Sequence, residues 1–256
     1  MRIVTYNFLR AGSQKRCGHW SRVIRNLKPD LVLAQECRPP ADSPSERFRH
    51  ECHDVLAWEP VASRGWGSGL FARSASLIPI GIPGFEGWVI GGEVRNTGWS
   101  ARRLIVFSIH GPAGERGYIR TMHDILDRIA PFRIGADLVL GGDFNVAVGY
   151  REPEDQIRFL RRERELLDRL IDEFGLVSSW QAANPGRRLA QTLRWMGNPA
   201  APYHCDGIFV PRSWLPRLVS CRVVRGSRWT RLSDHNPVVA EFRALSIRPL
   251  PVENKD

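Results

Sequence analysis

A chain of 256 residues, 43% of them hydrophobic, is long enough for one sizeable core and sets the expectation of a single α/β domain over residues 1–245. Its 37 Lys and Arg against 27 Asp and Glu leave a formal charge of +10, which favours an anionic partner without choosing between nucleic acid, anionic lipid and a small phosphate. Five scattered cysteines argue against a disulfide framework, no second Cys/His pair stands at zinc spacing, and no apolar run approaches membrane-spanning length, so a soluble, unexported, cytoplasmic protein with no membrane partner is expected.

In chain order, the β-branched residues 2–6 form a strand that stops at Asn7. Residues 1–29 hold seven Lys or Arg and no acid, and a helix over residues 19–28 presents Val23, Ile24 and Leu27 before Pro29 closes it. Residues 30–35 read as a second buried strand, which delivers Glu36. A charged, proline-containing loop with one short helix covers residues 38–49, and His50 and His53 are expected on the surface or in packing. Residues 67–72 form another strand whose glycines permit close backbone packing. Residues 87–95 and 102–109 bracket Asn96-Thr97-Gly98 as an antiparallel hairpin, and its second strand ends at His110. A helix over residues 118–130 turns Ile119, Met122, Ile125, Leu126 and Ile129 to the core, leaving His123 and Asp124 solvated.

The apolar run at residues 136–140 suits a buried strand. Gly141 and Gly142 are expected to let the backbone turn sharply and approach a neighbour closely, delivering Asp143 and Asn145. Residues 151–174 read as a long amphipathic helix facing the core through Ile157, Leu160, Leu167, Leu170, Ile171 and Phe174, and ended by Gly175. Acids outnumber arginines there, and Glu154/Arg158 and Arg161/Glu165 are ordinary i,i+4 pairs, so its charge is a solvated face. Residues 191–195 read as a strand paired with residues 203–210, which carry Asp206. Residues 207–233 hold six arginines, Trp214, Trp229 and no acid, and run into Ser233-Asp234-His235-Asn236-Pro237. A closing strand at residues 238–242 leads to a polar, Pro-containing tail over residues 246–256 that is expected to be poorly ordered.

The polar residues that these strands deliver are Asn7, Glu36, His110, Asp143, Asn145, Asp206, Asp234 and His235. Any one of them alone reads as a cap or turn residue. As a set they offer carboxylates for a hard cation, amide and imidazole donors, and an Asp-His pair. Mg²⁺ is typically held by one or two carboxylates plus water and substrate phosphate, so the set suits metal-assisted attack of water on a phosphoryl centre.

Thr5-Tyr6-Asn7, Gln35-Glu36, Ser108-Ile109-His110, Gly142-Asp143-Phe144-Asn145, the run His204-Cys205-Asp206-Gly207-Ile208-Phe209-Val210, and Ser233-Asp234-His235-Asn236-Pro237-Val238 occur in the order and spacing of the endonuclease/exonuclease/phosphatase superfamily. The chain resembles that superfamily from Thr5 to Val238. The resemblance implies a four-layer α/β sandwich, two mixed β-sheets packed face to face with helices outside. It implies that Glu36 ligates Mg²⁺ or Mn²⁺, with Asn7 at or near the metal and Asp234 a direct or water-mediated ligand. It makes His235 the candidate general base, oriented by Asp206, since a carboxylate beside an imidazole fixes its tautomer and favours its charged form. Asp143 and Asn145 would position the nucleophilic water or the leaving oxygen, and either Asp143 or His235 takes the proton. His110 matches a position where the deoxyribonuclease and sphingomyelinase branches carry His and the apurinic-site branch carries Tyr, and is expected to donate to the phosphoryl or leaving oxygen.

The signatures of inositol 5-phosphatases are absent from the sequence, so the resemblance fixes no branch. Nucleic acid is the expected partner, because the two acid-free basic segments leave or enter the site at Asn7 and at Asp234-His235. Arg10, Lys15 and Lys28 would come from one side and Arg225, Arg228 and Arg231 from the other. Trp229 sits among the latter and is expected to stack on a base or sugar, with packing in the core as the competing reading. A small phosphorylated metabolite or lipid headgroup is the alternative substrate, and a non-catalytic nucleic-acid-binding module the alternative to an enzyme.

Overall fold

Strands buried on both faces organise the chain, and the computed structural model describes residues 1–10, 18–39, 56–62, 64–150, 161–195 and 203–245. In order they form β1 (Arg2–Asn7), α1 (Gly18–Leu27), β2 (Leu31–Cys37), β3 (Leu56–Pro60), β4 (Gly67–Ala72), β5 (Ser76–Gly81), β6 (Val89–Arg95), β7 (Arg103–His110), α2 (Tyr118–Ile129) and β8 (Ala136–Asp143). There follow α3 (Arg161–Asp172), β9 (Leu176–Ser178), α4 (Ser179–Ala183), β10 (Asp206–Pro211), β11 (Leu218–Val223), α5 (Ser227–Thr230) and β12 (Val238–Phe242).

One six-stranded sheet runs β11-β12-β1-β2-β4-β3 and the other β5-β6-β7-β8-β10-β9. Both are mixed: β1/β2 and β7/β8 pair parallel, and the remaining neighbours pair antiparallel. Alternation along each strand sorts its side chains into layers. Ile3, Leu31, Leu33, Val139 and Ile208 meet between the sheets. Val4, Val32 and Phe71 face the other way, onto Trp20, Val23 and Leu27 of α1. Leu138 and Leu140 pack with Met122, Ile125 and Leu126 of α2 and Leu166, Leu167 and Leu170 of α3. The result is helix, sheet, sheet, helix, the expected four-layer sandwich.

Two expectations are corrected. The chain does not turn at Gly141-Gly142: β8 runs straight through both glycines to Asp143. What Gly142 provides is close approach, since a Cβ there would lie 1.8 Å from the Ile109 carbonyl oxygen. Residues 191–195 form no strand; Leu193 makes single bridges to Tyr203 and His235, while β10 pairs with β8 and β9. Helix α3 is described only from Arg161, and Glu154, Ile157, Arg158 and Leu160 lie outside the described residues, as do His50, His53, Lys15 and the tail from residue 246. Among the described residues no helix is long and apolar enough to cross a membrane, and Cys37, Cys205 and Cys221 are free and buried.

Candidate active site

The two parallel strand pairs stop at the same end of the sandwich, and their last residues face each other across the seam between the sheets. In the β7/β8 register His110 pairs with Asp143, and in β8/β10 Asp143 pairs with Asp206, so three functional groups are neighbours by hydrogen-bond ladder alone. From the other sheet, β1 ends at Asn7 opposite Gln35 of β2. The next residue, Glu36, sits in an irregularity of the β2/β4 pairing and has φ of +46°, a left-handed conformation that is uncommon for a residue with a side chain. Non-glycine residues persist there only where surroundings enforce them, and such positions cluster at functional sites.

Asn7 joins the sheets. Its Nδ2 donates to Glu36 Oε1 at 3.3 Å and to Asp143 Oδ2 at 3.0 Å, while its Oδ1 accepts the Leu9 N–H at 2.8 Å. Beneath it, Gln35 Nε2 donates to Ser108 Oγ at 2.9 Å, and that hydroxyl donates to the Ala34 carbonyl at 3.0 Å, a second polar tie across the seam. Asn145, with φ of +54°, donates its N–H to Asp143 Oδ1 at 3.0 Å and its side-chain amide to the Gly111 carbonyl at 2.9 Å. That holds one Asp143 oxygen and leaves the other facing Asn7.

His235 stands in the turn before β12. Its Nδ1 lies 3.0 and 2.9 Å from the two oxygens of buried Asp206, so Nδ1 carries the proton and Nε2 points at Asp143 Oδ2, 3.6 Å away. Burial alone would push the His235 pKa down, but Asp206 and Asp143 beside it outweigh burial and raise it to about 10. His110 shows the opposite balance: burial outweighs the attraction of Asp143 and lowers it to about 4, so it stays neutral. Trp66 and Trp88 enclose its ring at centroid distances of 5.7 and 5.1 Å. Its Nε2 lies 3.6 Å from Glu36 Oε1 and 3.9 Å from Asp143 Oδ2. Nothing in the sequence singled out these two tryptophans, whose only signal is a neighbouring glycine on the approach to a strand.

Burial raises the carboxyl pKa of both Glu36 and Asp143. Among the described residues Glu36 Oε2 is buried with no hydrogen-bond donor, and Arg10 Nε lies 3.6 Å from it. An acceptor-only oxygen left so, beside a second carboxylate, fits a hard divalent cation. Asp234 is partly exposed at the rim, with Oδ1 3.9 Å from His235 Nε2. A second donor group, Asp143, Cys205, Asp206 and His235, lies within 4.8 Å of one another. It fits less well: both Asp206 oxygens already engage His235, and burial holds the Cys205 thiol well above its ordinary pKa and so protonated.

The structure brings together Asn7, Glu36, His110, Asp143, Asn145, Asp206, Asp234 and His235. It does not add Trp229 to them. That side chain is 4% exposed and edge-on to Tyr6 at 5.7 Å, in the layer under α1, because the four-residue helix α5 turns it inward. Stacking on a base is therefore corrected to core packing. Arg228 on α5 and Arg231 just after it are exposed, and Arg22 of α1 donates to the Arg228 carbonyl at 2.9 Å, which brings the two basic segments into contact.

Solved structures of similar fold cover almost the whole chain. An AP endonuclease from Archaeoglobus fulgidus superposes with a TM-score of 0.69 at 20% identity over 94% of this chain and 99% of that one. A 3′ phosphatase, NExo, from Neisseria bound to a product DNA hairpin gives 0.69 at 19% identity over 95% and 99%. A 3′-5′ exonuclease, NExo, from Neisseria meningitidis gives 0.67 at 19% over 94% and 99%. No curated protein matches the sequence. The profile of the Endonuclease/Exonuclease/phosphatase family matches residues 5–235, and the chain belongs to that family.

Proposed function

We propose that this phosphoester hydrolase is a Mg²⁺- or Mn²⁺-dependent nuclease that hydrolyses phosphodiester bonds in nucleic acid. One observation carries the reading: the acceptor-only Glu36 oxygen, Asp143 and the Asp206–His235 pair converge where the two sheets meet. Glu36 holds the cation, with Asn7 fixing the carboxylate and Asp234 available at the rim. When bound, the ion supplies charge for the phosphoryl oxygens and a more acidic water.

The chain's own groups do the rest. Asp206 fixes the His235 tautomer, and Nε2 and Asp143 Oδ2 face the same space and handle the proton of the attacking water. Asn145 keeps Asp143 aimed, and neutral His110 donates from its ring to the phosphoryl or leaving oxygen. The basic surface around Arg10, Arg22, Arg228 and Arg231 supports a polyanionic substrate, as does the DNA hairpin bound by the Neisseria phosphatase.

The test is a panel of supercoiled DNA, abasic duplex, RNA, sphingomyelin and inositol phosphates, with Mg²⁺ or Mn²⁺ and with chelator. Chelator-sensitive cleavage of nucleic acid is expected. Binding to a short DNA by Glu36→Gln should weaken with salt at about 0.7–0.9 log units per phosphate contact, with a shallower slope when Arg228→Ala and Arg231→Ala are added. Brisk hydrolysis of a small phosphoester with no nuclease activity refutes the substrate. Failure to bind metal or to cleave any of these refutes the enzyme.

A further inference from the structure

Residues 191–194 belong to no sheet, yet they close on the turn that carries His235 from several directions. Asn236, 3% exposed, donates its N–H to the Thr192 carbonyl at 2.7 Å and its Nδ2 to the Gln191 carbonyl at 3.3 Å. The Thr192 hydroxyl accepts the N–H groups of Cys205 and Asp206 at 3.0 and 3.1 Å. One short run therefore anchors both Asp206 and the turn of His235.

Arg194 completes that arrangement. Its N–H donates to the Asp234 carbonyl at 2.9 Å. From its half-buried guanidinium, Nη1 donates to Asn236 Oδ1 at 2.6 Å and Nη2 to the Ser233 carbonyl. The two arms of the fork thus grip the residues on either side of Asp234-His235. The turn is also pinned from inside, where Ser233 Oγ donates to the Asn7 carbonyl at 2.8 Å and accepts the His235 N–H at 3.0 Å. A planar guanidinium holds two acceptors at a fixed separation, whereas a lysine ammonium is a point charge that cannot span them.

We propose that Arg194 is a positioning residue for the reaction: its fork sets the 233–236 turn so that His235 Nε2 faces Asp143 and the Asp234 carboxylate stays at the rim. It acts through that turn and donates nothing to the reacting atoms. The kinetic arm of the test rests on the hydrolase reading above. The spectroscopic arm does not.

Arg194→Met, Arg194→Lys and Arg194→Ala are compared with wild type on bis(p-nitrophenyl) phosphate and supercoiled plasmid in Mn²⁺. Misplacing a catalytic group by about 1 Å costs about 10²-fold, so kcat should fall by about that factor in Met and Lys, with KM within about twofold. Added guanidinium chloride, below denaturing concentration, should restore part of the Arg194→Ala loss. Long-range ¹⁵N NMR of the histidine rings should show His235 displaced in every variant and His110 unmoved. If wild type cleaves neither probe, the ring signals alone decide the proposal, and the hydrolase reading fails only if the wider substrate panel is also left uncleaved. Wild-type kcat or unshifted His235 signals in Arg194→Met overturn it, as does full activity in Arg194→Lys. Should Arg194→Ala unfold, Arg194→Lys, which keeps stem and charge, decides by the same two readouts.

Discussion

Replacing Gly142 by Ala tests whether backbone proximity sets the site. The new Cβ would lie 1.8 Å from the Ile109 carbonyl oxygen, 2.7 Å from its carbonyl carbon and 2.9 Å from its nitrogen. All three are backbone atoms of the paired strand β7, so no rotamer relieves the contact. To reach ordinary van der Waals separation the strands must part by about 1.5 Å. Overpacking of this kind typically costs about 1–3 kcal/mol, and each ladder hydrogen bond lost adds about 1 kcal/mol. Because Ile109 and Gly142 immediately precede His110 and Asp143, the displacement carries straight into the site, where about 1 Å is worth about 10²-fold in rate. The control is Gly141→Ala, whose Cβ meets Leu33 Cδ1, the tip of a side chain that can rotate, at 2.4 Å. Urea unfolding and initial rates on the cleaved substrate should rank Gly142→Ala well below Gly141→Ala in both. A Gly142→Ala protein as stable and as active as the control would show that β7 and β8 have slack at their ends, and the reasoning would be wrong.

Glu36→Gln should bind Mn²⁺ more weakly by calorimetry while folding normally, and excess Mn²⁺ should recover part of its turnover; unchanged affinity would remove Glu36 from the metal site. Asp143→Asn and His235→Ala should each lower kcat by about 10²–10⁴-fold, and a rate equal to wild type for either would overturn its role. In chelator, His235 contributes stability that is full below its unfolded pKa near 6.5 and is lost as pH rises toward its folded value of about 10. Urea midpoints at pH 6 and pH 9.5 should therefore fall more steeply for wild type than for His235→Gln, and parallel falls would refute the assignment. Trp229→Ala should cost about 3–5 kcal/mol as a core cavity and leave the salt slope of nucleic-acid binding unchanged; a shallower slope without loss of stability would restore the stacking role.

Which strands were legible follows from their place in the sheets. The inner strands read as near-continuous apolar runs, such as residues 31–34 and 138–140, because both of their faces are covered. The four strands that went unread, β3, β5, β9 and β11, are the four sheet edges. Edges are short, half exposed and interrupted: Pro60 ends β3, Pro79 lies inside β5, β9 has three residues, and β11 alternates through Ser220 and Arg222. Residues 191–195 have strand-like composition, but their hydrogen bonds go to the His235 turn and to Tyr203 rather than to a ladder. The site residues were legible because each stands at or beside the end of an inner strand: Asn7, His110 and Asp143 close theirs, Glu36 lies one residue before the end of β2, Asn145 lies two residues past β8, Asp206 opens β10, and Asp234 and His235 precede β12. Trp229 was misread because a tryptophan among arginines has one composition and two orientations, and only packing against Tyr6 selects between them.

Asn7 and Glu36 belong to one sheet, His110, Asp143 and Asp206 to the other, and no covalent link at the site joins the two groups. Their alignment is inherited from the apolar layer in between, where Leu33 and Val139 meet. The site therefore works as a vernier on the sandwich: a slip of one sheet against the other, too small to disturb either set of strands, already spoils the match. Activity should then disappear ahead of the far-ultraviolet signal when the protein is titrated with denaturant. Side chains far from any substrate, filling that middle layer, become part of what tunes the rate.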